Sequence, residues 1–173
     1  MALQDGWTRC PRCTGELTRA VDDKALVCGD CGSRYYAHSN PTANAVVTDA
    51  EGRVLLGRRA RPPEQGKWDV LGGFVDEGEH PEDALRRELR EEAAIDVEPI
   101  RFLGVFMDWY GSGEGAVSTL NLLWSARLVA GEPVAADDVA ELRWFARDEL
   151  PGPEECAFEC VHPMLSAWRQ QHP

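Results

Sequence analysis

Apolar positions in this chain fall into short runs bounded by turn residues, and into one longer stretch with helical spacing. Ala43-Asn-Ala-Val-Val-Thr48 reads as a strand, Asp49-Ala-Glu-Gly52 as a turn, and Arg53-Val-Leu-Leu-Gly-Arg58 as the return strand. After a loop at Arg61–Gly66, Trp68-Asp-Val-Leu71 is a short strand ending at Gly72-Gly73. Pro81 sits where a helix accepts proline, in its first turn. Ala84, Leu85, Leu89 and Ile95 then mark one apolar face of a helix running to about Ala94. Strands follow around 100–107, 118–128 and 141–145. Asp148-Glu149-Leu150-Pro151 breaks the chain, and a final helix is predicted over roughly 154–170. Tyr35–Pro41 reads as an extended linker, preceded by a short hairpin with its turn at Asp22-Asp23. The fold class is α/β, a mixed sheet with helices on both sides, without internal repeats.

Composition narrows the classes. A chain of 173 residues has room for one full domain and a small module. No run of about 18 apolar residues exists, so no membrane helix is expected. The first residues lack the basic-then-apolar pattern of a signal peptide, which predicts a cytoplasmic protein with reduced thiols. The net charge of −12 disfavours nucleic acid as a partner. Residues 1–40 carry five basic and five acidic side chains, so the acidic surplus lies in 41–173. An acidic domain that binds polyphosphate needs cations as mediators.

Four cysteines form two CxxC knuckles, Cys10/Cys13 and Cys28/Cys31, separated by 14 residues. Thiolates at this spacing suit tetrahedral Zn²⁺ in a closed, structural site. So short a segment with few apolar side chains would scarcely fold without the metal. Two disulfides fit the spacing but not a reducing compartment. The expected division is a zinc ribbon over 1–38 and a second domain over 39–173. Cys156 and Cys160 read instead as buried, unreactive thiols.

Acidic residues crowd the long helix. Glu88 and Glu92 are four apart and project from one face, with Glu91 beside them. Like charges at this spacing destabilise an isolated helix by roughly a few tenths of a kcal/mol each. A hard divalent cation would neutralise them, and all-oxygen ligation is what Mg²⁺ or Mn²⁺ prefers.

Gly73, Glu79, Arg87, Glu88, Leu89, Glu91, Glu92 and Ile95 fall in the register of the Nudix box, G-x5-E-x7-R-E-U-x-E-E-x-G-U, with U aliphatic. The stretch resembles that box at every fixed position but one, where Ala94 replaces glycine. The resemblance implies an α/β/α sandwich and hydrolysis of a nucleoside diphosphate linked to another moiety. It implies Glu88 and Glu92 as principal Mg²⁺ or Mn²⁺ ligands, with Glu91 assisting. It places Glu79 and Arg87 as a pair bracing the loop against the helix, and Gly73 at the tight turn. Glu141, three residues before Trp144, matches a further catalytic acid of pyrophosphatase members; Asp137, Asp138 and Glu114 are alternatives.

A ribbon followed by a Nudix box resembles bacterial NADH pyrophosphatases and shorter hydrolases of ADP-ribose and dinucleotides. The Ser-Gln-Pro-Trp signature of the NADH-specific group is missing. The implied substrate is ADP-ribose, NAD(H) or a related small nucleotide, releasing a nucleoside monophosphate. Phe74, Trp109, Tyr110 and Phe158 are candidates to stack on its base. Removal of an NAD cap from RNA and non-catalytic nucleotide sensing are the alternatives. A homodimer is implied by the resemblance alone.

Overall fold

The computed structural model describes residues 6–20 and 25–171, the Glu114 side chain excepted. The expected turn at Asp22-Asp23 lies outside them. Three short strands, β1 (Leu17–Arg19), β2 (Ala25–Cys28) and β3 (Arg34–Tyr36), form an antiparallel sheet near the N-terminus. Its small core is Cys10, Leu17, Leu26 and Cys28, with Tyr35 packed against it.

A seven-stranded mixed sheet follows. Its strands are β4 (Asn40–Thr48), β5 (Val54–Arg59), β6 (Trp68–Asp69), β7 (Leu71–Phe74), β8 (Asp96–Tyr110), β9 (Val117–Ala130) and β10 (Val139–Phe145). The path is β10-β5-β4-β9-β8, with β6 on β5 and β7 on β4. Only β4 and β9 pair in parallel; the other pairs are antiparallel. Tyr35–Pro41 is therefore no plain linker, because its ends enter β3 and β4.

Alternation along the central strands builds two cores, one on each face. Ala43, Ala45, Val47 and Leu55 pack with Ala84, Leu85, Leu89 and Ala93 of helix α1 (Pro81–Ala93). Val46, Val54 and Leu56 face the opposite way, toward Val161, Met164, Leu165 and Trp168 of helix α2 (Val161–Gln171). The expected sandwich is present. No described helix is long and apolar enough to cross a membrane.

The final helix is shorter than predicted. It begins at Val161 rather than near residue 154 because the preceding stretch is tied to the sheet. Trp68 N–H donates to the Glu155 carbonyl at 2.9 Å, and Ala157 N–H donates to the Trp68 carbonyl at 2.8 Å. The Asp108 carboxylate accepts from Cys160 N–H at 2.7 Å. These long-range bonds replace the local ones a helix needs. Cys156 and Cys160 are buried, and burial pushes both thiols up, Cys156 to about 11.

Helix α1 is bounded at both ends by named devices. His80 caps it, Nδ1 accepting from Glu82 N–H at 3.3 Å, and Pro81 opens the first turn. Ala94 closes it in the left-handed region at φ 55°, its N–H returning to Arg90 O at 3.1 Å. Glycine is the usual residue for that conformation.

Candidate active site

The strand-loop-helix passage from β7 into α1 sets the acidic residues. Gly72 has φ 138°, and a Cβ there would lie 2.1 Å from the Ala43 carbonyl oxygen. At Gly73 a Cβ would meet the Glu88 carboxylate at 2.4–2.6 Å. Backbone excludes a side chain at Gly72, whereas at Gly73 one would have to displace the Glu88 carboxylate from its place. Gly72 N–H donates to Glu92 Oε2 at 2.9 Å.

Arg87 organises the rest. Its Nε and Nη2 grip Glu79 Oε1 and Oε2 at 3.0 and 2.9 Å, and Nη2 also donates to the Phe74 carbonyl at 3.0 Å. Nη1 donates to Glu88 Oε1 at 2.7 Å and to Glu91 Oε2 at 3.2 Å. One guanidinium thus ties the loop after β7 to three glutamates. Arg87 holds Glu79 below the usual carboxylate range, helped by the Asp76 N–H.

Glu88 and Glu92 line a cavity with Arg59, Asp69, Gly72, Gly73, Asp137 and Asp138. Burial raises the pKa of both glutamates, and Asp138 adds repulsion to each. Arg87 beside Glu88 and Arg59 beside Asp69 and Asp138 offset only part of this charge, and the remaining carboxylate oxygens are the donor set a hard divalent cation fits. Glu91 turns outward to Arg87, away from the lining. The structure does not bring Glu141 there either: it sits on β10, paired with Arg58 at 3.3 Å. Asp138, one of the alternatives, lines the cavity; the Glu114 side chain lies outside the described residues.

A second cavity adjoins the first and shares Arg59, Asp69, Gly72, Gly73, Phe74 and Tyr110 with it. All four aromatic candidates, Phe74, Trp109, Tyr110 and Phe158, line it. Phe74 meets Tyr110 edge-on at 5.6 Å, and Tyr110 lies 5.7 Å from Phe158 at a 33° tilt. Arg59 stands at the junction. Its guanidinium lies 5.1 Å from the Phe158 ring and 5.6 Å from Tyr110, and it donates to the Tyr110 hydroxyl at 3.2 Å. Asp69 faces it at 3.6 Å, and burial pushes that acid up to about 7.

Sequence reasoning missed Arg59, Asp69 and the polar floor of the second cavity, Thr42, Asn44, Thr119 and Asn121. One signal was present: Asn44 and Asn121 interrupt otherwise apolar strand runs.

In the N-terminal module the four thiol sulfurs lie within 4.8 Å of one another. Cys13 and Cys28 are 3.4 Å apart, Cys10 and Cys31 3.7 Å. Four sulfurs bound tetrahedrally at about 2.3 Å would sit about 3.8 Å apart, so the set fits a zinc ion. The Ser33 hydroxyl lowers the Cys31 thiol to about 6, while the Cys31 and Cys28 thiols push Cys13 up to about 12.

Residues 38–162 match the family profile of the NUDIX domain. The chain belongs to the Nudix family. It is 29% identical over 143 residues to the NAD-capped RNA hydrolase NudC of Stutzerimonas stutzeri, covering 82% of this chain and 49% of that one. Against its Pseudomonas fluorescens counterpart the identity is 31% over 150 residues, covering 84% and 51%. The chain spans about half the length of the curated relatives it matches. A Nudix hydrolase structure from Nitrosomonas europaea superposes with a TM-score of 0.78 at 26% identity, covering 96% of this chain and 93% of that one.

Proposed function

We propose that this Nudix protein hydrolyses the pyrophosphate bond of a nucleoside diphosphate linked to another moiety, releasing a nucleoside monophosphate. ADP-ribose, NAD(H) or a related small nucleotide is the substrate class. The observation that carries this reading is the junction of the two cavities. A carboxylate nest and an aromatic slot share one wall, so a ring in the slot brings its phosphates beside the acids.

Glu88, Glu92 and Asp138 would hold Mg²⁺ or Mn²⁺ on one side of the diphosphate. Such an ion stabilises charge growing on phosphate oxygens and lowers the pKa of a bound water. The chain's own residues supply the positioning. Gly72 N–H orients the Glu92 carboxylate, and Arg87 fixes Glu88 while tying it to Glu79 and Phe74 O. Arg59 offers a cation between the ring and the acids, where it can meet a phosphate oxygen. Phe74, Tyr110 and Phe158 bound the ring and exclude water from it. A structural zinc held by Cys10, Cys13, Cys28 and Cys31 keeps the N-terminal module folded.

The test is a hydrolysis screen with Mg²⁺ or Mn²⁺, product masses read for ADP-ribose, NADH, NAD⁺, FAD and diadenosine polyphosphates. An NAD-capped RNA joins the panel, because the relatives carry that substrate in their names and its cap holds the same bond. Nucleoside monophosphate release that is lost in Glu92→Gln supports the reading. No turnover of any member overturns it.

A further inference from the structure

Strand β8 ends the path of the large sheet, and one side of it is apolar and uncovered. Leu103 and Phe106 pack toward α2, and the Asp108 carboxylate meets Cys160 N–H on that side. Phe102, Val105, Met107 and Trp109 take the other face. They share it because the register with β9 shifts between Phe102 and Gly104, where a bulge adds one residue to the alternation. Their partners on β9 are Trp124, Leu122, Leu120 and Ser118. Trp124 and Leu122 belong to the core beneath α1, so the stripe lies on the part of that face the helix leaves bare. Phe102 leans edge-on against Trp124 at 5.1 Å, yet the four side chains remain 47–56% exposed.

At half exposure these side chains offer roughly 450 Å² of apolar surface, more than half of the ~800 Å² per partner that a stable protein interface buries. None of them carries a charge, and neither do their four β9 partners, in a chain of net charge −12. Nucleic acid or an anionic bilayer would need cations here, and the stripe has none. Aromatic rings and methionine without charge are the composition of a protein interface at its buried centre. The outer edge of β8 is poorly suited to adding a strand. Its register with β9 is irregular at three places, and such bulges blunt edge pairing. A partner therefore packs on the face of the strand rather than along its edge.

We infer that this stripe is the contact face of a homodimer, packed on the same stripe of a second copy across a two-fold axis between Val105 and Met107. Along the strand the order is aromatic, aliphatic, thioether, aromatic, so the stripe reads nearly alike in both directions. With two copies antiparallel, Phe102 of each meets Trp109 of the other at the two ends, and Val105 meets Met107 in the middle. An isologous contact requires such self-complementarity, and the paired rings supply most of its buried surface. The net charge of −12 keeps the rest of the two surfaces apart and confines the contact to the neutral stripe. The inference does not depend on the proposed hydrolysis.

The experiment is sedimentation of the full zinc-loaded chain over micromolar to sub-millimolar concentrations. The expected species has twice the 19.2 kDa mass of the chain. Met107→Lys and Phe102→Lys each place two like charges at the contact, and each should weaken the dimer at least about 100-fold. Met107→Leu should keep it. Trp109 is left alone because it also borders the aromatic cavity. Added salt should tighten the dimer, because it screens the repulsion between two acidic copies and leaves the apolar contact intact. A monomer at every concentration, a dimer that survives both lysine substitutions, or a dimer that salt dissociates overturns the inference. The wild-type mass and its salt response decide alone if a lysine variant fails to fold, which circular dichroism detects.

Discussion

Gly72 and Glu92 are joined by a hydrogen bond of 2.9 Å from a strand amide to a helix carboxylate 20 residues later. That bond aims Glu92 into the cavity despite the burial that raises its pKa. Glu92→Gln keeps the shape and removes the charge. Its turnover should fall at least about 100-fold, as when a preorganised electrostatic group is lost. Steady-state rates on the best substrate of the screen, with circular dichroism as a folding control, check this.

Arg87 and Glu79 stand behind the acids. Arg87→Gln or Glu79→Gln should each lower kcat by roughly 10–100-fold, the usual cost of disturbing groups that orient metal ligands. The double variant should lose little more than Arg87→Gln alone, because that change already removes the Glu79 contact. Fully additive losses would mean independent roles.

The same pair gives a pH dependence. Glu79 titrates below its unfolded value in the native protein, so its contribution to stability is present above about pH 4.3. That contribution is lost as pH falls through the lower native value. Denaturation midpoints measured from pH 6 downward should decline less in Glu79→Gln than in the parent.

Asp69 shifts the other way. Its native value of about 7 exceeds the unfolded one, so stability is lost as pH rises from about 4 toward 7. Asp69→Asn should flatten that part of the profile and raise the midpoint at pH 8. An unchanged slope would mean that Asp69 ionises normally.

Ala94 occupies a left-handed position that costs a side chain about 1 kcal/mol. Ala94→Gly should recover roughly that amount in chemical denaturation while leaving the cavity acids in place.

Metal release should separate the two kinds of site. A strong chelator should free one zinc per chain, seen with a colorimetric indicator, and expose four thiols to a reagent. The N-terminal sheet should unfold with it. Full thiol reactivity before chelation would refute the zinc assignment.

Local signals carried the reading a long way. The helix from Pro81, its irregular end at Ala94 and the cysteine knuckles all follow from side-chain type and spacing. What escaped was decided by distant partners. Residues 154–160 have helical composition, but Trp68 and Asp108 claim their backbone groups. Asp138, just before β10, lines the cavity with Glu92, while Glu141 lies past a register shift in β10 and pairs with Arg58. Counting back from Trp144 cannot detect that irregularity. Arg59 reads as an ordinary strand-end cation until Tyr110 and Phe158 arrive from elsewhere.

The floor of the aromatic cavity and the glutamates of the acidic one belong to opposite faces of one sheet. Thr42 and Asn44 look toward α2, while Glu88 and Glu92 come from α1. On the proposed function, substitutions beneath α2 should therefore change what is recognised while leaving Glu88 and Glu92 in place. Substrate range and catalytic power then become partly separable heritable traits, coupled through the wall the two cavities share, Arg59 among its residues.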